Sequence, residues 1–336
     1  RFKTKNVTLR YNHLKCRFTS DTFFSNQPSI LNNTCAQLFM SDFGYGKFYP
    51  MKLKSEAGYA LHELIQDVGI PQHIHSDGAK EMTLGTWKQV CRDAGIKTTQ
   101  TEKGSPWQNR TEIEIRELKR HVRRLMGRTD TPHKLWDFCC QYTIDLRNRL
   151  ARPLPQLHGR TPYEILTGNT PDISEFLEFE WYQPVWYYEP GIFPHQQRLL
   201  ARWIGIAHRV GQAMCYWLLP KSGIPIARTT IQPLSQEELA TETIKHELHT
   251  FDISIAEKLN TIQDDLSHMR IYREDEDEAE EPVDPLVEPE SRAPEIDTIE
   301  ADAYDELLLT EPILAYEGSL TKAKVIGRKR DENGEP

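Results

Sequence analysis

Three carboxylates carry the chemistry that this sequence suggests. Asp77 ends a short strand-like run over residues 74–77, and thirty-four residues separate it from Glu112, which opens a helix. Asp21, within Phe18-Thr19-Ser20-Asp21-Thr22-Phe23-Phe24, falls on the first strand of the same pattern. Phosphoryl transfer by two metal ions needs about three acids converging from separate elements. Their hard oxygens suit a pair of Mg²⁺ (or Mn²⁺) ions about 3.5–4 Å apart, one at the attacking oxygen and one at the leaving oxygen. Two rival acids stand nearby. Asp42 lies in a turn signal that explains it without chemistry, and Glu114 is two residues beyond Glu112.

The helix register arbitrates between the two glutamates. At 100° per residue, Arg116, Lys119 and Arg123 fall within about 20–40° of Glu112, with Arg120 close by. The same offsets from Glu114 reach Leu118, His121, Val122 and Leu125, the mostly apolar side. A helix face that begins with an acid and continues with cations suits a metal-binding carboxylate beside a phosphate backbone. Such cations position phosphates without reading bases, so recognition is expected to be loose and salt-sensitive.

The whole-chain charge of -9 conceals a division. From Glu237 onward there are 29 acidic and 10 basic residues, which leaves the preceding body at +10. A basic body with an acidic tail points to nucleic acid, not to a membrane or a small-molecule substrate. The six cysteines form no Cys-x-x-Cys pair and read as free, buried thiols of a reducing compartment. His13-x-x-Cys16 has no partners at zinc-ligand spacing.

The elements that must position the acids follow from periodicity. Residues 1–15 read as a linker or arm. Strands are expected at 16–24, 34–40 and 45–51, the last two joined by Ser41-Asp42-Phe43-Gly44. A helix at 55–68, a strand at 73–77, a helix at 82–94 and a strand at 96–100 come next, then the Glu112 helix. An α/β fold follows: a mixed five-stranded sheet flanked by helices, ending in a helix at 133–150 and bounded at 16–151. Residues 152–178 form a helical connector in which Thr161 caps a helix and Pro162 takes its first position. Residues 179–234 read as a small β module of four or five strands, its aromatics mainly for packing. Residues 235–336 read as an acidic disordered linker, with transient helices over 255–269 and 307–314.

Several ordered motifs resemble those of retroviral-type integrases, whose core is RNase H-like with a D,D-35-E triad, and most of all the copia-type LTR retrotransposon branch. His75-Ser76-Asp77-Gly78 is similar to that branch's Ser-Asp-Asn-Gly strand end, and Ser105-Pro106-Trp107-Gln108-Asn109 to its Pro-Gln-x-Asn-Gly loop. Arg160-Thr161-Pro162-Tyr163-Glu164 with Thr167-Gly168 resembles the segment after the core. Ala201-Arg202-Trp203-Ile204-Gly205 and Ile226-Ala227-Arg228 resemble the β segment that follows. The resemblance spans about residues 11–234. It departs in three places: the spacing is 34, Asn109 is followed by Arg110 where the family has glycine, and no zinc-binding His-His-Cys-Cys module precedes the core.

The resemblance implies DNA integration by strand transfer, with Asp21, Asp77 and Glu112 as catalytic and metal-binding residues. It implies Gln108 and Asn109 as contacts to the DNA end beside Arg116, Lys119, Arg120 and Arg123. It further implies element-end DNA and target DNA as partners, a homo-multimer, and a nuclear site of action. Residues 322–330 offer a basic stretch of the nuclear-import kind. The chain is then a fragment of a Pol polyprotein, with the acidic tail as the connector to reverse transcriptase. Two other readings use the same fold: a catalytically inactive DNA-binding protein from a decayed or domesticated element, and a nuclease acting on RNA–DNA hybrids.

Overall fold

The computed structural model describes residues 7–102, 110–189, 197–210, 214–259, 313–316 and 319–322. A short helix, α1 (Val7–Arg10), opens the chain. Part of the expected arm is then stitched down: His13 bridges Ile70, and Leu14 N–H donates to Ile70 O at 2.8 Å. These backbone bonds, invisible to composition, fasten residues 13–14 of the segment read as a linker or arm to the body.

Alternating side chains make β1 (Arg17–Phe24) the middle strand of the first sheet. A hairpin follows, β2 (Cys35–Ser41) and β3 (Gly46–Met51). Its turn needs glycine at Gly44, where φ is +86° and an added Cβ would stand 2.8 Å from Arg152 Nη1. Then come α2 (Ala57–Asp67), β4 (His73–Ser76), α3 (Lys80–Thr83), α4 (Gly85–Ala94) and β5 (Lys97–Gln100). The single helix expected over 82–94 is broken at Leu84, which is extended at φ -129°. The break lets Trp87 lie flat on Phe39, centroids 6.0 Å apart, while α2 closes in through Gly58. A Cβ on Gly58 would sit 2.7 Å from the Trp87 nitrogen.

The sheet order is β3-β2-β1-β4-β5. β1, β2 and β3 pair antiparallel, and β1, β4 and β5 pair parallel. This is the RNase H-like arrangement expected from the sequence. Alternate strand residues feed two cores. Phe18, Phe39 and Ile74 join α2 and α4 on one face. Phe23, Leu38 and Phe48 join α5 (Arg110–Arg128) and α6 (Trp136–Arg149) on the other. Asn148 of α6 clamps the β3 edge, accepting from Gly46 N–H at 2.7 Å and donating to Gly46 O at 2.8 Å.

Two short helices form the connector, α7 (Pro162–Thr167) and α8 (Ser174–Glu178). Thr161 and Glu164 close a reciprocal capping box on α7, with Pro162 at its first position. A second sheet of five antiparallel strands follows: β6 (Pro184–Glu189), β7 (Gln197–Ile206), β8 (Tyr216–Pro220), β9 (Ile226–Arg228) and β10 (Ile231–Pro233). Its order is β10-β6-β7-β8-β9. Tyr142 of α6 packs against Trp181 and Trp203 of this module, and His208 meets Asp145 at 2.8 Å.

The tail departs from expectation. Helices α9 (Gln236–Ala240) and α10 (Glu242–Lys258) occupy the start of the segment read as a disordered acidic linker over 235–336, most of the remainder of which lies outside the described residues. Acidic composition hid an amphipathic stripe: Phe251, Ile255 and Leu259 are buried in the same core as Trp186, Leu200 and Trp136. Arg202 pairs with Asp252 at 2.6 Å, and Arg198 with Glu238 at 3.1 Å. In a separate unit, β11 (Ile313–Tyr316) and β12 (Ser319–Lys322) pair antiparallel; of the transient helices read over 255–269 and 307–314, residues 260–269 and 307–312 lie outside the described residues. Among the described residues, no helix is long and apolar enough to cross a membrane.

If α10 is part of the folded body, Phe251→Ala destabilises the protein by about 3 kcal/mol, the cost of emptying a large buried ring site. Urea denaturation checks this, because the same truncation in a detached tail leaves the midpoint unchanged.

Candidate carboxylate site

Asp21 sits inside β1, and Asp77 directly follows β4. Because Ser20 pairs with Ser76 in the parallel register, Asp21 and Asp77 are the next residues along two neighbouring strands. Thr19, Asp21 and Phe23 alternate onto the face that α5 covers. Thr111 of α5 is fully buried there and donates to Thr19 Oγ1 at 2.6 Å, which brings the first turn of the helix, and Glu112 with it, to β1. Farther along, Ile115, Leu118, Val122 and Met126 bury the apolar side of α5 in the core that holds Phe23. Lys119 Nζ lies 5.2 Å from the centre of the Phe23 ring.

The opposite side of β1 is pinned by a buried glutamine. Gln37, in β2, donates to Ser20 Oγ at 2.6 Å and accepts from Thr22 Oγ1 at 2.5 Å. Ser20 in turn donates to Leu38 O at 3.1 Å. A polar residue in the middle of a wholly buried strand was the available sequence signal for this support, and the sequence reading passed over it.

Burial raises the Asp21 carboxyl, the negative charges of Asp77 and Glu112 raise it further, and it reaches about 6. The Thr22 N–H, donating to Asp21 Oδ1 at 2.7 Å, and the Lys54 ammonium act in the opposite sense. Asp77 accepts from Ala79 N–H at 3.2 Å. Asp77 and Glu112 therefore both act on Asp21, Glu112 the more weakly. Among the described residues, no three His, Cys, Asp or Glu side chains converge closely enough to hold a metal ion. The donor chemistry still suits hard divalent cations: a cluster of like charges, one of them held back from ionising, gains most from a neutralising ion.

The rival acids have other occupations. Glu114 forms an ion pair with Arg147 and another with Arg152 at 3.5 Å, tying α5 to α6 and the connector. Asp42 is in the β2–β3 turn, where its N–H donates to Arg17 O at 3.1 Å. Of the expected DNA-binding cations, Arg116, Arg120 and Arg123 are exposed on α5, and Arg120 pairs with Glu117 at 2.6 Å. Gln108 and Asn109, like Trp107, lie outside the described residues.

The sheet order and the pairing of β1 with β4 define an RNase H-like fold. Among solved structures, the chain is similar to the catalytic core domain of HTLV-2 integrase in complex with magnesium. That likeness has 18% identity over 45% of this chain and 95% of that one, with a TM-score of 0.37. It is also similar to a chain of the simian T-cell lymphotropic virus intasome in complex with PP2A regulatory subunit B56 gamma. There the identity is 16%, over 65% of this chain and 81% of that one, with a TM-score of 0.37. No protein-family model and no curated protein matches the chain.

The raised Asp21 carboxyl has a stability consequence whose sign is fixed. Its folded value of about 6 lies above the ordinary 3.8, so ionisation opposes folding above pH 6, and the penalty fades as pH falls toward 4. Asp21→Asn is expected to stabilise the metal-free protein at pH 7.5 by about 1–2 kcal/mol after allowance for solvent screening. Thermal melts at pH 7.5 and pH 4.5 check this: the gain should shrink at the lower pH.

Proposed function

We propose that this chain is an integrase of the copia-type retrotransposon kind, joining element-end DNA to target DNA by strand transfer. What supports the reading is that Asp21 and Asp77 follow the paired Ser20 and Ser76 along β1 and β4, while the Thr111–Thr19 hydrogen bond ties the first turn of α5, where Glu112 stands, to β1. Asp21 and Asp77 would hold one Mg²⁺ or Mn²⁺ ion, and Glu112 would help to hold the second. Such ions supply a polarised attacking hydroxyl and a stabilised leaving oxygen when bound. The 3′-hydroxyl of element DNA forms the new bond to phosphorus, and the target strand's own P–O bond breaks, leaving a free 3′-hydroxyl. In end trimming, water takes the place of the attacking hydroxyl.

Arg116, Lys119 and Arg123 orient phosphates on the α5 face that starts at Glu112, with Arg120 beside them. Gln108 and Asn109 contact the DNA end. Joining two ends to one target calls for several copies of the chain, acting in the nucleus. A catalytically inactive DNA-binding protein is the second reading, favoured by the spacing of 34 between Asp77 and Glu112 and by Arg110 where the family has glycine.

Magnesium-dependent cutting and joining of oligonucleotide duplexes tests the proposal. Asp77→Asn and Glu112→Gln should each lower the rate at least about a hundredfold. Equal rates for wild type and Asp77→Asn eliminate the enzyme, and DNA binding without activity in either selects the inactive binder. Glu114→Gln should keep the chemistry but lose about 2–3 kcal/mol of stability, since it strands Arg147 and Arg152. A Glu114→Gln protein that folds normally and is inactive reverses the assignment of the two glutamates.

A further inference from the structure

Three parallel strands place their outward residues in rows. Arg17, His73 and Lys97 are register partners, as are Thr19, His75 and Thr99. The next row begins with Asp21 and Asp77. One face of the sheet thus passes from cations, through neutral hydrogen-bonding groups, to carboxylates. The two end rows are four residues apart along β1, or about 13 Å.

The first two rows line a cavity of about 490 Å³, bounded on the helix side by Arg110 and Glu114 and at the turn by Asp42. Glu114 is already matched by Arg147 and Arg152. That leaves one acid, Asp42, against Arg17, Lys97 and Arg110. The histidines are held upright: Thr99 Oγ1 is 2.9 Å from both His73 Nε2 and His75 Nδ1, and Thr101 Oγ1 is 3.1 Å from His75 Nε2. His73 Nδ1 is buried without a hydrogen-bond partner. Three cations, Arg17, Lys97 and Arg110, around histidines fixed by hydroxyl groups make a receptor for a tetrahedral oxyanion.

We propose that this cavity binds a backbone phosphate of the nucleic-acid strand whose reacting phosphodiester lies at the carboxylate row. The inference rests on the reading of the chain as a DNA-processing protein and adds where the strand runs: down the half of the sheet that no described helix covers, beside α5. Arg17, Lys97 and Arg110, all on the cavity wall, neutralise the phosphate charge there.

Fluorescence anisotropy of the full chain with a labelled DNA duplex carrying a short single-stranded end, in Ca²⁺, tests this. Arg17→Gln with Lys97→Gln should weaken binding about tenfold at moderate salt and lower the slope of log affinity against log salt by about 1.5. Lys97→Gln alone, at an exposed edge position, should show about half that slope change and serves if the double variant misfolds. Unchanged affinity and slope overturn the proposal. Inorganic phosphate, followed by the imidazole proton signals of His73, separates the two sources of the anion. Perturbation by phosphate with DNA binding unaffected in the variants makes this a free-anion site and overturns the strand assignment. Asp77→Asn should lose cutting and keep binding. A wild type that binds but never cuts defeats the catalytic reading, while the anisotropy still decides the cavity.

Discussion

Like charges brought together repel, and the seam between α5 and β1 is what holds them in place. Its apolar half is the run of Ile115, Leu118, Val122 and Met126 against Phe23. Its polar half is the Thr111–Thr19 hydrogen bond at the end where Glu112 stands. The cost of the arrangement is written on Asp21, whose carboxyl resists ionisation because it is half-buried and faces two other acids. A fold selected only for stability would not keep such a cluster, and sites that keep one usually use it. The buried Gln37 knot and the Glu114 ion pairs brace the strand and the helix from the sides the carboxylates leave free.

Much of this was legible in the amino-acid order, because the determining signals are local and periodic. The alternation through β1, the glycine turn at Gly44, the stop at Gly95 and the cap at Thr161 each use chemistry that a short window contains. The facing that sets Glu112 apart from Glu114 is local as well, and in the structure Glu114 pairs with two arginines. What stayed hidden depends on distant partners. The break at Leu84 is dictated by Trp87 reaching Phe39, and no window of residues 80–94 contains Phe39. The polar support under β1 needs Gln37, Ser20 and Thr22 to be seen together, which only the β1–β2 register reveals.

The acidic tail misled for a different reason. Net charge is a property of a whole segment, whereas docking needs only one stripe of it. In α10, Phe251 and Ile255 are four residues apart and fall on one side, while Asp252 meets Arg202 of the second sheet. Acidic composition is then complementary to a basic surface, and the rule that links it with disorder fails where such a surface is already present in the same chain.

The two sheets share a single apolar interior. Phe23 and Phe48 of the first touch Trp136 of α6, and the same cluster runs on to Trp186, Leu200 and Leu219 of the second. Sliding one sheet over the other would open Trp136 and Trp186 to water, so the shared cluster makes the pair behave as one rigid block.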